Sequence, residues 1–289
     1  MKEKISYCMN KTTLFIVPTP IGNLRDITLR AIDVLNAVDL IVCEDTRHTL
    51  KLLNHYGIKK PLVSCEKFSE ARRSQKILAH LQRGKNIALV SDAGTPMISD
   101  PGTLLLGQAR KVGVRIEALP GPCAFVTALS ASGFTGPIRF IGFFPRKKTL
   151  IDQALMRMRF CPEITIFYES PKRIFSTLQA LHKTLDEREI CLAREITKFY
   201  EDYIVAPVGE MLAKWEGTEM KGECTVLVKG QAELPESEEN LEEKVRSLRQ
   251  KGYAKRDILK ILVEFTGLTR NELYKLLLRV DSSIDRTCR

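Results

Sequence analysis

The chain has 289 residues, 44% of them hydrophobic, with 45 Lys and Arg against 35 Asp and Glu and a net charge of +10. This composition marks a globular rather than a disordered chain, and the length allows two ordinary domains, each with its own core. No apolar run approaches membrane-spanning length, Met1 to Lys11 lacks an apolar signal core, and the basic surplus favours a polyanionic partner or is simply a soluble basic surface.

In chain order, Thr13 to Val17 is a β-rich apolar run ending in Pro18-Thr19-Pro20-Ile21-Gly22-Asn23. Thr28 to Val38 places Leu29, Ile32, Leu35 and Val38 at helical spacing, and Leu40 to Cys43 follows as a second strand. That strand stops at the charged cluster Glu44-Asp45-Thr46-Arg47. A short helix over Thr49 to Tyr56, a strand over Pro61 to Ser64 and a helix over Ser69 to Gln82 lead to the stretch around which the chain is organised. There, the apolar run ending at Val90 breaks into Ser91-Asp92-Ala93-Gly94-Thr95-Pro96-Met97-Ile98-Ser99-Asp100-Pro101-Gly102, followed by a helix over Thr103 to Lys111. Asp92 in this loop is either a ligand contact or the cap of a tight turn. Val114 to Leu119 is the next strand, and Pro120-Gly121-Pro122-Cys123-Ala124 opens the helix Phe125 to Ser130. Alternating strands and helices predict a largely parallel, doubly wound sheet, and ligands bind such sheets at the carboxyl ends of their strands. Three Gly/Pro-rich loops at those ends are able to face one ligand.

Gly133–Pro137 and Phe143–Lys148 read as a break between domains. A second α/β set follows: strand Ile164–Tyr168, helix Pro171–Leu185, strands Ile190–Ala193 and Asp202–Val205, helix Val208–Trp215 and strand Cys224–Val228. Charged clusters again mark strand ends, at Tyr168-Glu169-Ser170-Pro171 and Arg194-Glu195-Ile196-Thr197-Lys198. Gln231 to Glu243 holds six glutamates and reads as a linker, helical toward its end. From Lys244 to Arg289 there are twelve Lys and Arg against five Asp and Glu, a surplus of seven. Leu241, Val245, Leu248, Ile258, Leu259, Ile261, Leu262, Leu273, Leu276, Leu277 and Val280 give three amphipathic helices there. Such a module suits contact with RNA or a partner, or is simply a solvated basic face. The expected division is 12–137 and 138–230 for two α/β domains, 231–243 for the acidic linker and 244–289 for the basic helical module.

Several chemistries are excluded by residue type. The chain has no G-x-x-x-x-G-K-[ST], and Pro18 and Pro20 stand where a dinucleotide fingerprint needs glycines. It has no nucleophile elbow, and His48, His55, His80 and His182 form no metal pair, so no metal is expected. Cys8, Cys43, Cys65, Cys123, Cys161, Cys191, Cys224 and Cys288 include no C-x-x-C and read as reduced thiols of a cytoplasmic protein. What remains is a ligand held by backbone groups and small side chains between two α/β domains, with carboxylates and cations at the rim.

The ordered set 17–28, 43–47, 91–102, 119–124, 168–171 and 193–198 resembles the RNA-modifying branch of the tetrapyrrole methylase-like (class III) S-adenosylmethionine-dependent methyltransferases. The resemblance implies two α/β domains with a cofactor cleft between them, a small C-terminal helical module and a homodimer. It implies 2'-O-methylation of a cytidine ribose in the decoding region of 16S ribosomal RNA, within the 30S subunit. S-adenosylmethionine would lie against Pro20, Ile21, Asp92, Gly94, Thr95, Pro120, Gly121, Pro122, Cys123 and Ala124, with Tyr168 and Cys224 from the second domain. Cys123 and Cys224 are expected to pack as small residues rather than act as nucleophiles. A ribose hydroxyl needs a base or an anion-stabilising cation. Asp45, Glu169 and Glu195 are candidates for the first role, and Arg47, Arg194 and Lys198 for the second. Each of these charges has a structural alternative, an ion pair or a phosphate contact. A tetrapyrrole-type small-molecule methyltransferase and a non-catalytic RNA-binding or ribosome-assembly factor are the rival readings. The proline-bearing first loop and basic tail weigh against the first rival, and the intact loops against the second.

Overall fold

The structure is a computed structural model that describes residues 12–65, 70–100, 102–185, 187–231, 238–250, 252–266 and 269–287. Cys8, Cys288, residues 232–237 of the expected linker, and Gly267 and Leu268 of the expected last turn lie outside this set. The chain divides into two compact units, residues 1–131 with 193–202, and residues 132–192 with 203–289.

In the first unit the elements run β1 (Thr13–Ile16), α1 (Leu29–Ala37), β2 (Leu40–Cys43), α2 (Thr46–His55), β3 (Leu62–Ser64), α3 (Glu70–Gln82), β4 (Ile87–Leu89), α4 (Thr103–Lys111), β5 (Arg115–Ala118) and α5 (Ala124–Ser132). The sheet order is β3-β2-β4-β1-β5, with every neighbouring pair parallel. β1, β2 and β4 are buried along their whole length, which is why they read as continuous apolar runs rather than alternating ones. Their alternate residues serve two cores. Phe15, Ile41 and Ala88 pack with Val34, Leu35 and Leu53 on one face, while Leu14, Ile16, Val42 and Ile87 pack with Ile77, Leu81 and Leu105 on the other. Burial of such a side chain is worth about 1.5–3 kcal/mol, so this double-faced packing fixes the register and with it the loops at the strand ends.

Helix starts follow capping chemistry. Thr28 Oγ1 accepts from the Ala31 N–H at 3.1 Å and opens α1. α2 begins at Thr46 rather than Thr49, because the Asp45 carboxylate caps it by accepting from the Arg47 N–H at 2.8 Å.

The second unit contains β6 (Ile138–Phe143), α6 (Lys148–Phe160), β7 (Ile164–Glu169), α7 (Pro171–Leu185), β9 (Asp202–Pro207), α8 (Val208–Lys214) and β10 (Cys224–Val228), and β8 (Glu189–Arg194) starts within it. Its sheet order is β6-β7-β10-β8-β9, and it is mixed: β6 runs parallel to β7 and β10 antiparallel to it. β6 and α6 were not expected from the sequence, where Gly133–Pro137 and Phe143–Lys148 read as a break. Gly142 and the flanking prolines mask β6, an edge strand that is only half covered.

Helices α9 (Glu238–Gln250), α10 (Lys255–Thr266) and α11 (Arg270–Thr287) close the chain. α9 starts inside the acidic stretch 231–243. The apolar positions expected for this module form one core with Met156 and Phe160 of α6, except Ile261, whose side chain lies outside the described set. The module therefore docks on α6 through its apolar faces.

Candidate active site

In the first unit, loops leaving the carboxyl ends of β1, β2, β4 and β5 are fastened to one another. Thr19 and Gly94 exchange two backbone hydrogen bonds at 2.9 Å each, and Thr19 Oγ1 donates to the Ser91 carbonyl at 3.0 Å. Thr95 Oγ1 donates to the Pro122 carbonyl at 2.9 Å, and the Asp45 N–H donates to Asp92 Oδ1 at 3.0 Å. Gly94 sits at φ +80°, a left-handed conformation that glycine adopts without strain. A Cβ on Gly121 would lie 2.5 Å from Pro18 Cβ, so the fifth-strand loop lies directly on the first.

The structure thus brings together Pro20, Ile21, Asp92, Gly94, Thr95 and the run Pro120, Gly121, Pro122, Cys123 and Ala124. Pro120 and Gly121 are exposed and Pro20, Ile21, Thr95 and Pro122 half-buried, so main-chain groups with little side-chain cover face outward, as a ligand bound through backbone contacts requires. The Cys123 carbonyl accepts from the Thr127 N–H and hydroxyl, both at 3.0 Å, as the chain enters α5.

The charged candidates differ in surroundings. Asp45 is both cap and ion-pair partner, with Arg47 Nη2 at 2.7 Å from Oδ2 and Nε at 3.1 Å from Oδ1. The hydrogen bonds from Arg47 hold the Asp45 carboxyl down at about 2, which makes it a weak base. Glu195 and Lys198 pair at 2.9 Å across a turn, with Glu195 at φ +50° and Thr197 at φ +66°. Two non-glycine residues in the left-handed region mark a strained turn. Residues 193–202 belong to the first unit, and a Cβ on Gly22 would lie 2.6 Å from Lys198 Cγ and 2.8 Å from Thr197 Oγ1. The absence of a side chain at Gly22 therefore lets this turn rest against the first loop. Arg194, half-buried, precedes it.

In the second unit, Glu169 is buried at the end of β7. Its Oε1 accepts from the Ser170 N–H at 2.8 Å, its Oε2 accepts from Thr177 Oγ1 at 2.8 Å, and Arg173 Nη2 stands 3.4 Å away. A carboxylate so fully engaged suits the start of α7 better than proton transfer. Tyr168 stacks edge-on with Phe140 at 5.0 Å and Phe143 at 5.6 Å. Cys224 lies opposite Glu169 on β10, buried in the second-unit core.

Sequence reading missed two features. Phe199 and Tyr200 are 92% and 70% exposed and form an edge-to-face pair at 5.0 Å, directly after Lys198. Two adjacent aromatic residues in a charged stretch were the available signal. Asp100 is the other. Burial, then the neighbouring Glu44 carboxylate, push its carboxyl up to about 6, against the hydrogen bond from Ser91 and with a further push from Asp92. Cys43, Glu44, Cys65, Ser91 and Asp100 line a small cavity at the ends of β2 and β4.

A folded-state pKa raised above the unfolded value of 3.8 means that Asp100 favours folding at low pH. That contribution fades as pH rises from about 4 through about 6. Asp100→Asn should therefore gain about 1–2 kcal/mol at pH 7, after discounting for solvent screening, and nothing near pH 4. Urea unfolding at the two pH values checks this, and an equal effect at both would rule it out.

The chain has known relatives. The family model of tetrapyrrole (corrin/porphyrin) methylases matches residues 13–212. A protein of Escherichia coli O157:H7 described as ribosomal RNA small subunit methyltransferase I is 44% identical over 280 residues, 95% of this chain and 98% of that one. The chain belongs to the tetrapyrrole methylase family, in its ribosomal RNA small subunit methyltransferase I branch. The branch member of Thermotoga maritima is 43% identical, matching 98% of its own length to 75% of this chain. Among solved structures, a diphthine synthase superposes with TM-score 0.59 at 13% identity, covering 92% of this chain and all of that one, and shows the shared fold. All four joined loops, those after β1, β2, β4 and β5, fall inside the family match, whereas α9, α10 and α11 lie beyond it.

Proposed function

We propose that this protein transfers a methyl group from S-adenosylmethionine to the 2'-hydroxyl of a cytidine ribose in the decoding region of 16S ribosomal RNA. The observation that carries the reading is the 44% identity to a ribosomal RNA small subunit methyltransferase I over nearly the whole chain. The same reading makes the 30S subunit the substrate and the enzyme a cytoplasmic homodimer. No helix among the described residues is long and apolar enough to cross a membrane.

The joined loops of the first unit fit the cofactor in kind: they offer backbone groups beside glycines that a Cβ would crowd, at the edge where such sheets bind ligands. The residues that we assign to it are Pro20, Ile21, Asp92, Gly94, Thr95 and Pro120 to Ala124, with Tyr168 and Cys224 from the second unit. When bound, S-adenosylmethionine supplies a methyl group already activated by its sulfonium charge. The field of Glu44, Asp92 and Asp100 at the ends of β2 and β4 favours a cation there. Cys224 packs as a small core residue and serves through its backbone.

The protein's share of the chemistry is alignment and proton handling at the ribose O2'. Of the residues proposed for it (Asp45, Arg47, Glu169, Arg194, Glu195 and Lys198), Glu195 and Lys198 have the arrangement that suits the task best. Glu195 accepts the O2' proton, and the Lys198 ammonium stabilises the developing alkoxide. Arg194 and Arg47 hold RNA phosphates, while Asp45 and Glu169 act as positioning residues through α2 and α7. Phe199 and Tyr200 offer ring faces on which unpaired bases stack.

Methyl transfer from labelled S-adenosylmethionine to 30S subunits lacking 2'-O-methyl groups tests this reading. Label on a decoding-region cytidine ribose is expected. Cofactor binding without label on that RNA would favour another substrate, and absence of both would favour a binding or assembly factor.

A further inference from the structure

A cavity of about 870 Å³ lies wholly within the second unit, between β6, α6 and the turn that opens α10. It shares none of the residues assigned above to cofactor or catalysis. Three cations from three elements line it: Arg139 of β6, Arg157 of α6 and Lys260 of α10, against the carboxylates Asp152 and Asp257, and Tyr253 adds an aromatic ring. Arg139 Nη1 is buried and has no hydrogen-bond partner among the described residues. A buried guanidinium nitrogen without an acceptor carries an uncompensated desolvation penalty, which an anion would relieve. The site exists because the C-terminal helices dock on α6 through Met156 and Phe160. Those helices lie beyond the family match, and residues 244–289 carry a surplus of seven cations.

We propose that this cavity is a phosphate-binding subsite for the backbone of the RNA substrate. Arginine forks match phosphate oxygens, a space of this size takes more than a lone phosphate, and the basic module around it continues the attraction along a strand. The proposal rests on the ribosomal RNA reading above and adds to it a grip built from residues other than those of the methyl-transfer loops. Because the cofactor loops are not involved, the subsite governs RNA affinity and leaves cofactor affinity alone.

The test is fluorescence anisotropy of a labelled decoding-region RNA with the full chain, Arg139→Gln and Lys260→Glu, across salt concentrations, beside calorimetry of S-adenosylmethionine binding. Lys260 is exposed, so its variant tests the site without disturbing a core. Each variant should bind RNA about 5- to 10-fold more weakly, with a salt slope lower by roughly one for the lost phosphate contact, and with cofactor affinity unchanged. Unaltered RNA affinity and salt slope in both variants would overturn the proposal. So would displacement of the RNA by micromolar cytidine monophosphate with loss of that competition in Arg139→Gln, which would mark a free-nucleotide site instead. If the unaltered chain binds cofactor but no RNA, the ribosomal reading itself fails and the subsite with it. RNA binding that both variants retain in full sinks the subsite alone.

Discussion

Lys198→Ala is expected to lower single-turnover methyl transfer by about 10²- to 10³-fold while S-adenosylmethionine affinity changes less than about threefold, as for loss of one preorganised charge at a developing oxyanion. Three contacts together hold this lysine. It pairs with Glu195 at 2.9 Å, its backbone N–H donates to the Glu195 carbonyl at 2.9 Å, and its stem rests against Gly22 of the first loop. A surface lysine without such restraint would be mobile and its removal nearly neutral. Here the strained φ values of Glu195 and Thr197 keep the turn in one shape, so the charge stands in place before the substrate arrives. Glu195→Gln keeps size and hydrogen bonding but removes the base, and its rate should recover as pH rises if hydroxide replaces the lost carboxylate. Lys198→Arg should recover part of the rate, because charge persists while geometry differs. An unchanged single-turnover rate in Lys198→Ala at saturating cofactor would remove the residue from the chemistry and leave it as a structural partner of Glu195.

The first unit was legible because its sequence is locally consistent. β1, β2 and β4 are apolar but for Thr13, and each is cut off abruptly by Pro, Ser or an acidic residue, so strand ends and loops announce themselves. The C-terminal helices were legible for a different reason: their apolar spacing had one period, and those positions, Ile261 apart, pack in one core. β6 and α6 were not legible. Arg139, Gly142 and the prolines around β6 look like a linker, and its partner β7 lies some twenty residues further on, so nothing local reveals the pairing.

The joining of the candidate loops was legible in outline, but the surroundings of the charges beside them were not. Sequence order showed that Asp45, Glu169 and Glu195 each follow a strand. It did not show that Asp45 is committed to Arg47 and the α2 cap, that Glu169 is buried under three polar contacts, or that Glu195 sits in a left-handed turn. Those distinctions depend on partners far away in sequence, as does the raised pKa of Asp100, which comes first from burial and then from Glu44 brought beside it from another strand. Residue type at a strand end nominates a charge, and only its neighbours decide whether that charge is free to do chemistry.

Gly121→Ala is expected to weaken S-adenosylmethionine binding by about 10²-fold and to lower the melting temperature, since one methyl must be fitted where packing is already complete. Its Cβ would stand 2.5 Å from Pro18 Cβ and 2.9 Å from Pro18 Cγ, and a proline ring cannot rotate away. One of the two loops must therefore move as a whole. Pro122, next in sequence, accepts the Thr95 hydroxyl bond, and Gly94 is held to Thr19 by two backbone bonds, so a shift at Gly121 spreads through all three loops assigned to the cofactor. Gly107→Ala is the control. It lies in α4 with no neighbouring atom within 4 Å of the added methyl, and it should gain about 0.5–1 kcal/mol by removing helix-interior flexibility, with cofactor affinity unchanged. Calorimetry of cofactor binding and thermal unfolding of both variants decide the matter. Loss of stability in Gly121→Ala with cofactor affinity intact would mean that the joined loops only brace the sheet. Loss of affinity that exceeds the loss of stability would mean that their spacing is part of the binding site.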